Sequence, residues 1–233
     1  MKYSLCILML LFSGFAKAQD DPQYRMEIGA GVGGVNYLGD YNGNLFSNLR
    51  PMATIVGRYN FNPSTSLRLN ASYGTLSGNS ADVETYYPDL DGDVMTKDEY
   101  KFSSSMVDVG LVFEYNFWPY GTGRDYRGAK RFTPYIYIGL GATYANCDAN
   151  DKSVLTANLP IGVGVKCKLA ERLNLGVDYG LHFSLSDELD GKKDPYGIVS
   201  SGLFKNTDGY SALQVTLTYS FSAKCQTCNK DDW

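Results

Sequence analysis

The sequence predicts an all-β fold: an eight-stranded antiparallel up-and-down transmembrane β-barrel with both termini on the periplasmic side. Three observations carry this expectation. Eight stretches alternate apolar residues with polar residues or glycine at period two, the mark of a strand with two unlike faces. The stretches run about 10–13 residues, near the length a tilted membrane strand needs and longer than the usual soluble strand. The connections between them are alternately short and long, as periplasmic turns and extracellular loops are in outer-membrane barrels.

The elements follow in order. Residues 1–18, MKYSLCILMLLFSGFAKA, combine Lys2, an apolar run and the small-residue site Ala16-Lys17-Ala18, which reads as a secretory signal peptide. Residues 19–222 then form the barrel, and 223–233 a periplasmic tail. Removing Lys2 and Lys17 with the leader takes the formal net charge from −4 to −6, which argues against a nucleic-acid partner. After the leader no run of about 20 apolar residues appears, so no transmembrane helix is expected.

The first strand, 24–35, sets Met26, Ile28, Ala30 and Val32 against Glu27, Gly29, Gly31 and Gly33. The second, 51–61, opposes Ile55 and Tyr59 to Thr54 and Arg58; the third, 65–76, opposes Leu67 and Leu69 to Arg68 and Asn70. The fourth, 104–117, alternates Val107, Val109, Leu111 and Phe113 with Asp108, Gly110 and Glu114. The fifth, 133–144, is more aromatic and alternates less cleanly. The sixth, 157–169, opposes Ile161, Val163 and Val165 to Gly162, Gly164, Lys166 and Lys168. The seventh, 173–185, opposes Val177 and Tyr179 to Asp178 and His182; the eighth, 211–222, opposes Val215 and Leu217 to Gln214 and Thr216. The polar faces carry charge and glycine, which suits a crowded lumen, and Tyr and Phe gather near strand ends, as membrane-interface girdles require.

Tight turns fall at 62–64 and 170–172, long connections at 36–50, 77–103, 146–156 and 186–210. One connection breaks the pattern: 118–132 is long yet lies on the short-turn side. The glycine-rich stretch GAGVGGVNYLGDYNGNL, 29–45, is not a phosphate loop, because another alternating strand follows it where a helix N-terminus would be needed. Gly29, Gly31 and Gly33 share the lumen face, where missing side chains leave room for a tyrosine, an arginine or a plug.

Candidate sites are few. An inward set of Glu27, Asp108, Glu114 and Asp178 beside Arg25, Arg58, Arg68, Lys166 and Lys168 should pair into a charge network that closes the lumen, because an isolated buried charge is costly. The connection WPYGTGRDYRGAKRF holds Arg124, Arg127, Lys130 and Arg131 against Asp125 alone; this basic loop fits an acidic protein surface or lipid phosphates. The tail carries Cys225 and Cys228. It lacks a second pair of metal ligands and a thioredoxin-like context, so a local disulfide or a cross-link to a partner is the favoured reading. Cys147 and Cys167 sit at opposite ends of neighbouring strands, too far apart to pair. The acidic loop 88–100 spaces Asp89, Asp91 and Asp93 like a calcium loop, but Val94 and Tyr100 stand where Gly and Glu belong. His182 reads as a packed lumen residue. No enzymatic activity, cofactor or metal is expected.

Two stretches carry a family resemblance. EIGAGVGGVNYLGDYNGNL, with its Asn36-Tyr37-x-Gly39-Asp40 core, and DYGLHFSLSDELDG, 178–191, resemble the opening and a later hallmark of PorG-like proteins; YRGAKRFTPYIYIGLGATY resembles the family's middle strand entry. The tail departs from the pattern, with two cysteines where the resemblance leads one to expect a single one. PorG-like proteins are small outer-membrane barrels of the type IX secretion system. The resemblance implies a structural role: the barrel ties the outer membrane to a periplasmic ring, built from a lipoprotein and its partner subunit, and is not itself the export channel. Besides that ring, outer-membrane lipid is the expected partner. The alternative reading is a small general outer-membrane barrel, porin or adhesin-like, of the OmpW or OmpA-domain kind.

Overall fold

The computed structural model describes residues 24–38, 49–79, 101–122, 129–147, 152–185 and 209–223. Residues 1–18, read above as a signal peptide, the cysteines at 225 and 228 and the acidic loop at 88–100 lie outside them. Eight strands form one closed antiparallel barrel: β1 (Tyr24–Leu38), β2 (Arg50–Asn62), β3 (Thr65–Asn79), β4 (Lys101–Asn116), β5 (Phe132–Cys147), β6 (Lys152–Lys168), β7 (Leu173–Ser184) and β8 (Gly209–Ala223). Each strand pairs with its sequence neighbour, and β1 pairs with β8 from Tyr24↔Ala223 to Leu38↔Gly209 to close the ring. Closure leaves no edge, the condition for a sheet in lipid.

Strand lengths run from 12 to 17 residues and exceed the alternating stretches in every strand but β7, which stops one residue short; the extra length lies mostly at the end away from the termini. There the hairpin ladders continue past the apolar pattern: β3 and β4 pair as far as Asn79↔Lys101. Residues 36–38, 77–79, 101–103 and 152–156 are therefore strand where the alternation suggests loop. Ala223 likewise belongs to the barrel wall. The first tight turn shrinks to Pro63 and Ser64, because Asn62 Oδ1 accepts the amides of Ser64 (2.8 Å) and Thr65 (2.7 Å). Pro160 interrupts the β5–β6 ladder, which skips from Ile138↔Ile161 to Gly141↔Asn158, since proline supplies no amide hydrogen.

The wall is inside-out relative to a soluble protein. Arg68 and Glu114 are fully buried inside, whereas Ile55 is 62% exposed, Leu140 72% and Leu155 73% on the outer face. Two aromatic bands border this apolar belt. Tyr59, Phe61, Tyr115, Phe117, Trp118, Phe132, Tyr219 and Phe221 mark the end that carries the termini, and Tyr73, Tyr144 and Phe183 mark the loop end. An apolar belt between aromatic girdles around a polar interior is the pattern of a barrel solvated by lipid. Among the described residues no helix is long and apolar enough to cross a membrane.

Candidate functional site

The interior is the first candidate, and it is built in two floors. On the lower floor, toward the termini, Glu114 of β4 sits among three cations from three other strands. Arg58 Nε lies 2.9 Å from its Oε2, Arg68 Nε lies 3.0 Å from its Oε1, and Lys166 Nζ pairs with Oε2. Arg58 also pairs with Glu27, and Arg68 Nη1 lies 2.9 Å from Asp178 Oδ1. Neutral donors fill the remaining lone pairs. Ser66 donates to Glu114, Asn60 and Thr218 to Glu27, and Tyr135 and Gln214 to Asp178. Three carboxylates thus meet three cations, and the pairing offsets the cost of burying them; among the described residues Arg68 Nε and Nη2 make no hydrogen bond of their own. Six strands point these charged side chains into the lumen because each occupies the inward phase of its alternation.

Asp108 and Arg25 stand apart from this cluster. Asp108 is buried higher in the lumen, where Thr143 Oγ1 (2.9 Å) and Asn158 Nδ2 (2.6 Å) donate to it. Its contact with a basic side chain is His182 Nδ1 at 3.9 Å, so Asp108 stands outside the Arg58–Glu114–Lys166 network. Arg25 is exposed near the chain start, because it lies at the barrel rim. Lys168 is buried and donates to Asn174 Oδ1 (2.9 Å). His182 stacks on Tyr210 with ring centroids 4.4 Å apart, a packed lumen residue.

The upper floor carries an apolar cluster set among buried Asn36, Ser104, Thr156, Ser184 and Ser211. Val35, Tyr37, Met52, Leu76, Met106, Ala145, Cys147, Tyr210 and Ala212 form one buried cluster at the loop end. The inward face is therefore not polar throughout. The signal was present: Val35, Tyr37, Met52, Leu76 and Met106 simply extend the inward phase of their strands.

The glycines have two different jobs. A Cβ at Gly29 would run into the β8 backbone, the Leu217 carbonyl and Thr218 Cα at 2.6 Å, and one at Gly33 would meet Leu213 and Gln214 in the same way. These β1 glycines let β8 approach; they do not leave room for a side chain. That room comes from Gly162, Gly164 and Gly180, whose missing Cβ atoms are replaced by Tyr135 and Tyr137. Tyr135 and Tyr137 of β5 point inward, with Ile136, Ile138 and Tyr144 outward, so the aromatic fifth strand alternates after all. Arg68 lies over the Tyr137 ring (4.6 Å) and Lys166 over Tyr135 (4.4 Å).

The second candidate is the mouth at the terminal end. The long connection between β4 and β5 folds back over it. Tyr120 bridges to Lys130, its amide bonds the Pro63 carbonyl (3.0 Å), and its hydroxyl donates to Asn174 Oδ1 (3.1 Å). Burial pushes the Tyr120 phenol well above its ordinary range, so it stays a neutral donor. Lys130 Nζ lies 4.4 Å over the Trp118 ring, and Arg131 Nη2 donates to the carbonyls of Lys168 (3.1 Å) and Leu169 (3.2 Å). Arg124, Arg127, Cys225 and Cys228 lie outside the described residues. Among the described residues no three of His, Cys, Asp and Glu cluster as a metal site.

Interior space is small. Two cavities, one below the charge cluster against Tyr120 and one beside Asp108 and His182, have water-accessible volumes of about 20 and 10 Å³. Each is on the scale of a single water. An eight-stranded barrel is expected to be filled by its own side chains. Purified barrel in a planar bilayer is therefore expected to show no large, stable conductance; steady open channels would contradict the filled lumen.

The comparisons agree with this architecture. A family model described as "Domain of unknown function (DUF6089)" matches residues 2–230. Among solved structures, the chain is similar to Neisserial surface protein A (TM-score 0.50, 14% identity, covering 84% of this chain and 97% of that one). It is also similar to the outer membrane protein OprG from Pseudomonas aeruginosa (TM-score 0.50, 14% identity, 89% and 100% covered). At this identity the likeness concerns the fold. No curated protein matches the chain.

Proposed function

The chain belongs to the DUF6089 family, and we propose that it is a structural outer-membrane component of the type IX secretion machinery. In this reading it tethers the periplasmic ring complex to the outer membrane and is neither the export channel nor an enzyme. The observation that carries the reading is the filled lumen: a charge-balanced floor, an apolar cluster above it and the Tyr120 strap pack, among the described residues, around cavities of about 20 and 10 Å³. A barrel without a passage acts through its surfaces. The PorG-like motifs at 27–45 and 178–191 supply the identity of the system, and the signal peptide the route out of the cytoplasm.

The terminal end then faces the periplasm, where short turns and termini lie in such barrels. Both the β4–β5 connection and the tail leave the barrel at that end. Lys130 and Arg131 stand there at the level of the girdle aromatics, Lys130 over Trp118 and Arg131 on the Lys168 and Leu169 carbonyls, and both remain exposed. Docking to the ring, through its lipoprotein or the partner subunit, accordingly falls to Arg124, Arg127 and the tail with Cys225 and Cys228. Deleting residues 224–233 is expected to leave a folded barrel that runs faster unheated than boiled on gel electrophoresis, yet to reduce ring recovery in a pull-down. Wild-type recovery by that deletion combined with charge reversal at Arg124 and Arg127 would refute the docking assignment. The alternative, a general barrel of adhesin or porin kind, draws on the fold likeness alone; an absence of ring subunits from the wild-type pull-down would favour it.

A further inference from the structure

The terminal rim is not uniform around the barrel. On one side, two neighbouring connections carry Lys130, Arg131 and Arg172; on the opposite side, the β2–β3 turn, Pro63 and Ser64, carries no charge. The charged connections are joined through the backbone. The Lys168 amide bonds the Arg131 carbonyl (2.7 Å) at the edge of the β6–β7 connection, and the Ser220 amide of β8 bonds the Arg172 carbonyl (2.7 Å) on its far side. Each end of the arc rests on a girdle aromatic. Lys130 lies over Trp118, which packs on Phe132 (5.9 Å), and Arg172 Nη1 donates to the Tyr219 hydroxyl (3.2 Å). All three cations are exposed. Among the described residues the arc contains one acid, Glu171, which already accepts the Tyr24 hydroxyl (3.2 Å).

We propose that Lys130, Arg131 and Arg172 form a binding arc for the phosphate-bearing headgroups of anionic phospholipids in the leaflet facing the termini. The inference rests on the membrane reading of the barrel and not on its tethering role. The level of the cations selects lipid over a protein partner. They stand among Trp118, Phe132, Leu169 and Tyr219, each 39–50% exposed on the outer wall. Aromatic belts mark the headgroup level, so these cations sit beside phosphates, with apolar neighbours for the acyl chains. Cations at a membrane surface attract anionic lipid through just this geometry.

The test uses the full chain in nanodiscs of equal phosphatidylglycerol and phosphatidylcholine, followed by stripping in mild detergent and counting the lipids retained per barrel. Wild type is expected to retain phosphatidylglycerol preferentially, and the preference should weaken in high salt, as for exposed charges. The K130Q/R172Q variant spares Arg131, which caps carbonyls, and should lose about fivefold in preference per cation removed. Equal retention of the two lipids by wild type overturns the proposal. So does a heat-modifiable variant that keeps the wild-type preference. A variant that keeps the lipid but loses ring recovery would reassign the arc to protein docking. If the variant does not fold, the wild-type salt series decides: a preference unchanged in high salt overturns the proposal.

Discussion

Replacing Glu114 with alanine is expected to cost the barrel about 3–5 kcal/mol, the loss seen when one partner of a buried ion pair is removed. The reason is arithmetic as much as contact. Glu114 is the shared anion of Arg58, Arg68 and Lys166, and all four side chains are buried. Without it, three cations face Glu27 and Asp178 alone, and one positive charge has no counterpart in a lumen that water cannot fill. Urea unfolding of the barrel refolded into phospholipid vesicles, followed by the gel shift between unheated and boiled protein, measures the loss. Asp108→Asn is the comparison. Thr143 and Asn158 can still donate to the amide oxygen, and among the described residues no lysine or arginine pairs with Asp108, so the change is expected to stay at about 1 kcal/mol. Equal costs for the two variants would show that shared charge is not what organises the lower floor.

Gly29→Val is expected to cost about 3 kcal/mol or more and to impair closure of the barrel. Overpacking that a flexible side chain can absorb costs about 1–3 kcal/mol, but here the obstacle is the backbone of β8. Leu217 and Thr218 cannot yield without breaking the β1–β8 ladder, the seam that makes the sheet a cylinder. Gly57→Ala in β2 is the control: nothing lies within 4 Å of its added methyl, and a change within about 0.5 kcal/mol is expected. The fraction of folded protein on an unheated gel reads both. A valine at position 29 that folded like wild type would mean that β1 and β8 are less closely set.

The sequence made much of this legible because a barrel wall separates two solvents. Lipid outside and packed polar groups inside force period two on every strand, so Ile55, Leu69 and Val163 outside and Arg58, Arg68 and Lys166 inside are readable without coordinates. Long-range assembly is less readable. That Glu114 rather than Asp108 becomes the hub depends on strand stagger, which alternation does not encode. The role of Gly29 and Gly33 depends on how near β8 comes, and a glycine on a lumen face looks the same whether a side chain or a backbone fills its place. Tyr135 and Tyr137 read as disorder in the pattern because tyrosine suits both a girdle and a crowded interior; Gly162, Gly164 and Gly180, on other strands, decide it. The strap at Tyr120 was visible only as a connection too long for its side of the barrel.

The division of the lumen into an oily floor and an ionic floor gives the two mouths different responses to temperature. Apolar burial weakens on cooling, whereas ion pairing does not share that dependence on hydrocarbon hydration, and the desolvation cost of charges falls as temperature rises. The loop-end mouth, held by Val35, Met52, Leu76 and Met106, is therefore the part that loosens in the cold. The mouth at the termini, held by Glu114 and its three cations, keeps its seal there and gains relative weight in the heat. A single cylinder thus carries two closures with opposite seasons.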